Sequence, residues 1–283
     1  MRAGGHDHYR SRVASNLECV GLGFDDRDDF QRFIADALRT ADVLGRDGDL
    51  TVHRWQDPSG ARIVVATRGR QIVEFLPSYA GTPGPLLADV HNANDEVTIA
   101  DVVDKDGEKV GMLAAEFEQR RLLPTAPSGG LATVVALGVD VAVHADAAAF
   151  AASDDSLLSP RSSDDPDEPP AHYVENGWPW PPRMAASSFI SYGVFGAPEN
   201  AEAYARLNGT VLHAARKTVA ATGQQFITAR VQCGVFETDV CLPAAADTPD
   251  PVPGNVIAGT VFLVASLPQL PPPSKRGFLP WRR

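Results

Sequence analysis

The apolar positions divide the chain into short segments of two periodicities. From Leu17 to Phe24 the residues form a compact apolar run, followed by four aspartates among Asp25–Asp29. Phe30, Phe33, Ile34, Ala37, Leu38 and Ala41 then recur at i, i+3, i+4, i+7, i+8 and i+11, one face of a helix. The aspartates stand where N-capping and the helix dipole favour negative charge. A strand leading into an amphipathic helix is predicted. Leu50–Gln56, Ala61–Thr67 and Gln71–Leu76 follow as strands, separated by Asp57-Pro58-Ser59-Gly60 and Arg68-Gly69-Arg70, which suit tight turns. The expected order is β-α-β-β-β.

Beyond a Gly/Pro-rich connection, Val97–Val103 and Val110–Phe117 flank a charged turn and predict a hairpin. Leu131–Val143 reads as a strand and Asp146–Ala152 as an alanine-rich helix. Phe189–Phe195 is expected to be a strand and Pro198–Leu207 a short helix ended by Asn208-Gly209. Thr210–Thr218, Gln224–Cys233 and Val235–Leu242 predict a meander, and Val256–Leu267, apolar on both faces, a central strand. Val20–Asp25 and Val135–Asp140 echo one another weakly, each before a helix candidate.

These elements give an α+β fold class, mostly antiparallel β, with an N-terminal βαβββ-containing unit and a C-terminal β-meander or OB-like unit. The expected organisation is a flexible N-terminus (1–16), an N-terminal α+β domain (17–152), an acidic Pro-rich linker (153–184), a C-terminal β-rich domain (185–267) and a basic Pro-rich tail (268–283). The linker is assigned from composition: its acids, serines and prolines bury too little apolar area to offset ordering entropy.

Composition narrows the function classes. A net charge of −11 over 283 residues opposes long-range attraction to nucleic acid or anionic membrane. No run of about 18 apolar residues suggests a membrane span, and residues 1–16 lack the apolar middle of a secretory signal, so a soluble, cytoplasmic protein is expected. The three cysteines, Cys19, Cys233 and Cys241, have no zinc-like spacing. Strand alternation places Cys233 with Ile227, Ala229 and Val231, and Cys241 on the face opposite Phe236, Val240 and Leu242, which predicts buried free thiols rather than a disulfide.

The remaining motifs fail at identifiable positions. Gly21-Leu22-Gly23 has Asp26 where dinucleotide binding uses a third glycine. Asp104–Gly107 lacks the later ligands of a calcium loop, and no Gly-x-Ser-x-Gly elbow occurs. No catalytic residue or cofactor is assigned.

Two partial resemblances remain. Cys19–Phe24, the helix with Phe30 and Phe33, the 57–60 turn and Ile72-Val73-Glu74-Phe75 resemble one module of the glyoxalase-like vicinal oxygen chelate superfamily. The resemblance covers residues 17–76. It implies a divalent-metal site from a first-strand His and a fourth-strand Glu. Glu74 matches the second position, whereas Cys19 stands at the first. Residues 209–267, with several strands and glycines at their turns, resemble part of an OB-like barrel. That resemblance implies a single-strand or anion surface carrying His213, Arg216, Lys217 and Arg230, although the aromatic platforms such grooves use are few.

The leading expectation is a noncatalytic binding or scaffold protein that contacts a protein partner through the linker or the tail. Pro268 and Pro271 form a PxxP arrangement, and Phe278, Trp281 and Arg282 follow in a segment rich in cations. The alternatives are a small-ligand binder or metal-dependent enzyme at Cys19 and Glu74, and nucleic-acid binding by the C-terminal unit. A membrane partner is not expected.

Overall fold

The structure is a computed structural model and describes residues 16–123, 128–159, 168–244 and 250–267. The fold class is α+β and mostly antiparallel, built from two sheets. Helix α1 (Arg27–Thr40) is followed by β1 (Asp42–Asp47), β2 (Leu50–Gln56), β3 (Ala61–Arg68) and β4 (Gln71–Tyr79), which form an antiparallel sheet in chain order. Asp26 caps α1, accepting from the Asp28 N–H at 2.6 Å. Phe30 packs on Phe75 and Phe33 on Trp55, so α1 covers one face of this sheet.

The large sheet contains β5 (Leu86–Asn92), β6 (Thr98–Val103), β7 (Lys109–Phe117), β8 (Ser128–Leu131), β9 (Thr133–His144), β10 (Ser188–Ser191), β11 (Tyr204–Thr218), β12 (Gln225–Cys233), β13 (Phe236–Pro243) and β14 (Val256–Ser266). Five of these close into a barrel in the order β11-β12-β13-β9-β14 and back to β11. The β13–β9 contact is parallel and the others are antiparallel. Residues 209–267 contribute most of four staves. The fifth, β9, comes from the other side of the 153–184 segment, and β14 continues beyond the barrel onto β7.

Alternation sorts the large sheet into two cores. Leu113, Ala115 and Phe117 of β7 join Val261, Leu263 and Ala265 of β14 inside one apolar cluster. Ala114 of β7 and Phe262 and Val264 of β14 point the other way, into a seam with Val52, Val64 and Leu76 of the small sheet. The register slips by one residue at Val139 of β9, opposite Thr260/Val261. That bulge lets Val139 pack on the seam while Val141 and Val143 pack on the barrel cluster. Cys233 lies in the barrel cluster and Cys241 in the seam, and all three cysteines are free and buried, as alternation predicts.

Several elements differ from their sequence expectation. Leu17–Phe24 contains no strand: a helical turn at 16–18 ends at Gly21, whose φ of +69° is left-handed. Leu17, Cys19, Val20 and Leu22 are all buried, and an apolar run that is buried throughout does not reveal its period. Strands β1 and β5 were not expected, so the N-terminal order is α-β-β-β-β. The echo between 20–25 and 135–140 therefore joins a turn to a strand. Pro198–Leu207 is a single 3-10 turn at Pro198–Asn200 and then the start of β11. Ala201, Ala203, Ala205 and Leu207 are buried at alternate positions, the strand period that the helix reading overlooked.

Where it is described, the acidic 153–184 segment makes specific contacts at its two ends. Helix α2 (Ala147–Ala152) places Phe150 on Val256 and Ala258. Beyond it Leu157 bridges to Arg183, the Met184 N–H donates to the Ser156 carbonyl, and Arg183 donates to the Ser153 carbonyl. Helix α3 (Ala171–Asn176) follows. Among the described residues no helix is long and apolar enough to cross a membrane.

Candidate functional site

The seam between the sheets changes character along β4. At one end the buried Asp57 binds across to the β11–β12 loop, accepting from Ala220 and Ala221 N–H groups at 3.2 Å and from Ser59 at 2.9 Å. Burial opposes its charge, but these hydrogen bonds prevail and hold its pKa below the ordinary value. In the middle, fully buried Glu118 takes Arg54 at 3.3 Å, Arg62 at 3.1 Å and Ser78 Oγ at 2.6 Å. Both groups tie the small sheet to the large one.

At the other end the seam opens into a cleft of about 790 Å³. Its centre is Arg120, in the 3-10 turn Arg120–Leu122 that follows β7, with a side chain only 5% exposed. The guanidinium meets Glu74 of β4 at 2.8 Å and Glu116 of β7 at 3.0 Å, and donates to the Asp95 carbonyl at 3.1 Å. Arg121 meets the second oxygen of Glu74 at 3.0 Å. Asp95, Glu96, Glu199 and Glu202 complete the charged lining among the described residues; Glu202 has a partner of its own, and the other five carboxylates face two guanidiniums.

Glu116 titrates unlike an ordinary carboxylate. Burial is the main cause, Glu96 and Glu74 add repulsion, and the Arg120 charge offsets only part, so its pKa is pushed up to about 7. Asn16 also lines the cleft. It is 6% exposed and its Oδ1 has no hydrogen-bond partner among the described residues. A buried carbonyl of this kind is costly to leave unpaired. The cleft is thus rich in acceptors, and its guanidinium donors are already engaged.

Of the residues singled out from sequence, Glu74 lies in this cleft and Cys19 does not share a site with it. The Cys19 thiol is buried against the Gly138 carbonyl at 3.3 Å, and desolvation pushes its pKa to about 12. A thiol held so far from ionisation is a poor metal ligand or nucleophile. Glu74 is occupied by Arg120 and Arg121, and among the described residues no three His, Cys, Asp or Glu side chains group to hold a metal.

The expected cationic surface is also divided. His213 is exposed and Lys217 partly so, but Arg216 is paired with Asp250 at 2.6 Å. Arg230 is a correction: its side chain is 6% exposed and binds Glu237 at 3.1 Å, Asp239 at 3.2 Å and the Thr82 carbonyl at 3.1 Å. It clamps the 81–85 loop to the barrel and presents no surface charge. Pro268, Pro271, Phe278, Trp281 and Arg282 lie outside the described residues.

Sequence reasoning missed Glu116, Arg120 and Asn16. A signal was present for the first: Met112, Ala114, Glu116 and Glu118 share one strand face, which points two acids the same way as buried neighbours. No family model, curated protein or solved structure matches the chain.

Proposed function

We propose that the protein is a noncatalytic binder of a small organic cation, an amine held in the cleft between the two sheets. One observation carries this reading: among the described residues, and leaving Glu202 aside, the cleft combines five carboxylates against two guanidiniums with the buried Asn16 carbonyl, which has no partner there. Both features call for a ligand that brings N–H donors and positive charge. An anionic ligand is disfavoured, because Arg120 spends its donors on Glu74, Glu116 and Asp95. The volume, about 790 Å³, suits a small molecule and not a folded partner.

The supporting chemistry includes a proton. Glu116, with a pKa near 7, gains its charge across the neutral range, and a bound ammonium group favours the ionised form. Binding is therefore coupled to proton release. Calorimetric titration of the full chain with cadaverine at pH 8 and low salt tests this. A saturable single site, weakened at least about tenfold in Glu116→Gln at an assumed coupling of roughly 1.4 kcal/mol, is the expected result. Weak, unsaturable heat that Glu116→Gln and Glu74→Gln leave unchanged contradicts the reading.

A further inference from the structure

A second surface is independent of the cleft. Tyr173 of α3 packs edge-on against Trp178 at 5.6 Å and Trp180 at 5.0 Å, and His172 stacks beside it at 4.8 Å. This cluster is held in place by the Leu157–Arg183 bridge and the bond from the Leu158 N–H to the Pro182 carbonyl. Even so it remains uncovered: Trp178 is 56% exposed. The indole Nε1 of Trp180 is buried with no acceptor among the described residues. Buried indole N–H groups ordinarily find a partner. The exposed carboxylates Asp154, Glu168 and Glu175 belong to the same 153–184 segment as the cluster.

We infer that this aromatic cluster, carried on an acidic segment, is the docking surface for residues 268–283 of the same chain. The chemistry is complementary. The segment carries Lys275, Arg276, Arg282 and Arg283 with no acid, and it carries Phe278 and Trp281. Guanidinium groups stack on indole and phenol faces, and a docked segment brings backbone carbonyls that accept from an indole N–H.

The distances agree with a contact within one chain. Leu267 follows β14 and is held by Gln119, whereas the cluster is tied to the opposite end of β14, where Phe150 and Ala186 pack on Val256 and Ala258. The strand spans about 36 Å at roughly 3.3 Å per residue. Twelve residues, the length of 268–279, are enough to reach a similar distance at about 3.1 Å per residue. That length leaves the residues beyond Phe278 for the contact with the indoles.

The test uses the full chain. Its four indole N–H groups, Trp55, Trp178, Trp180 and Trp281, are followed by nitrogen-15 NMR, with limited trypsin cleavage at Lys275 and Arg276 in parallel. Expected are a Trp281 indole that tumbles with the folded body and a Trp180 resonance that moves in an Arg282→Glu/Arg283→Glu variant. Cleavage accelerates at least about tenfold in Trp178→Ala or in that variant, at an assumed docking free energy of roughly 1.4 kcal/mol. The tail variant alters no residue of the described fold, so an unchanged melting temperature separates undocking from unfolding. A rapidly relaxing Trp281 and cleavage rates indifferent to both variants overturn the inference. Protection that grows with protein concentration also overturns it, since the segment would then come from a second copy.

Discussion

Glu116 and Glu118 stand two residues apart on the same side of the chain at the end of β7, yet they inhabit opposite electrostatic surroundings. Glu118 is enclosed by two arginines and the Ser78 hydroxyl, with charge and hydrogen bonds satisfied. Glu116 shares one arginine with Glu74, has Glu96 near it and faces a cleft. Burial is common to both. What separates them is the number of partners, and that number divides a structural knot from a site with unmet demand.

The comparison is broken most severely by Glu118→Ala. Removing a carboxylate with no exposed surface leaves Arg54 and Arg62 without their shared partner, and a loss of about 3–5 kcal/mol in urea unfolding is expected. A loss below about 1 kcal/mol would mean that the knot does not hold the sheets together.

Asp57→Ala removes the acceptor of three backbone N–H groups, and a loss of about 2–3 kcal/mol is expected from the same measurement. Because the folded pKa of Asp57 is depressed, its contribution is present above its unfolded pKa and disappears as pH falls through the folded value. The difference between wild type and variant should therefore shrink in acid.

Glu116→Gln should act in the opposite sense. A carboxyl whose folded pKa is raised to about 7 stabilises the fold below its unfolded pKa, and that contribution is lost as pH rises through about 7. The variant should equal or exceed wild type by about 1–2 kcal/mol at pH 8 and lose that advantage at pH 5. Stability profiles that run parallel across this range would show that Glu116 does not change its charge within it. Glu199→Gln, on the exposed rim, should change stability by less than about 0.5 kcal/mol and weaken cadaverine binding two- to threefold. An effect larger than that of Glu116→Gln would move the centre of the site outward.

Much of the architecture was legible because strand alternation repeats over many residues. The opposed faces of Cys233 and Cys241, the β2–β4 strands and the barrel strands of 210–267 all follow from it. Alternation failed where every residue is buried, as at Leu17–Leu22, and where a proline and a glutamate imitated a helix start before β11. Closure of the barrel by β9 was hidden because a parallel pairing across about a hundred residues leaves no local pattern. Glu74 was singled out as a ligand or metal residue beside Cys19, whereas the structure sets it against Arg120 and Arg121. Its setting depends on Arg120, Arg121 and Glu116, which only the stacking of β4 on β7 brings together. Arg230 shows the converse, since a cation in a strand looks solvent-facing until the 81–85 loop is seen to cover it.

The proton inventory of ligand binding tests the central claim most directly. Cadaverine is titrated into the full chain at pH 7 in buffers of different ionisation enthalpy, and the released protons are read from the slope. The cleft predicts a net release approaching half a proton per site, abolished in Glu116→Gln, because Glu116 is about half protonated at its pKa. Saturable binding with no proton release, or release that persists in Glu116→Gln, would contradict it.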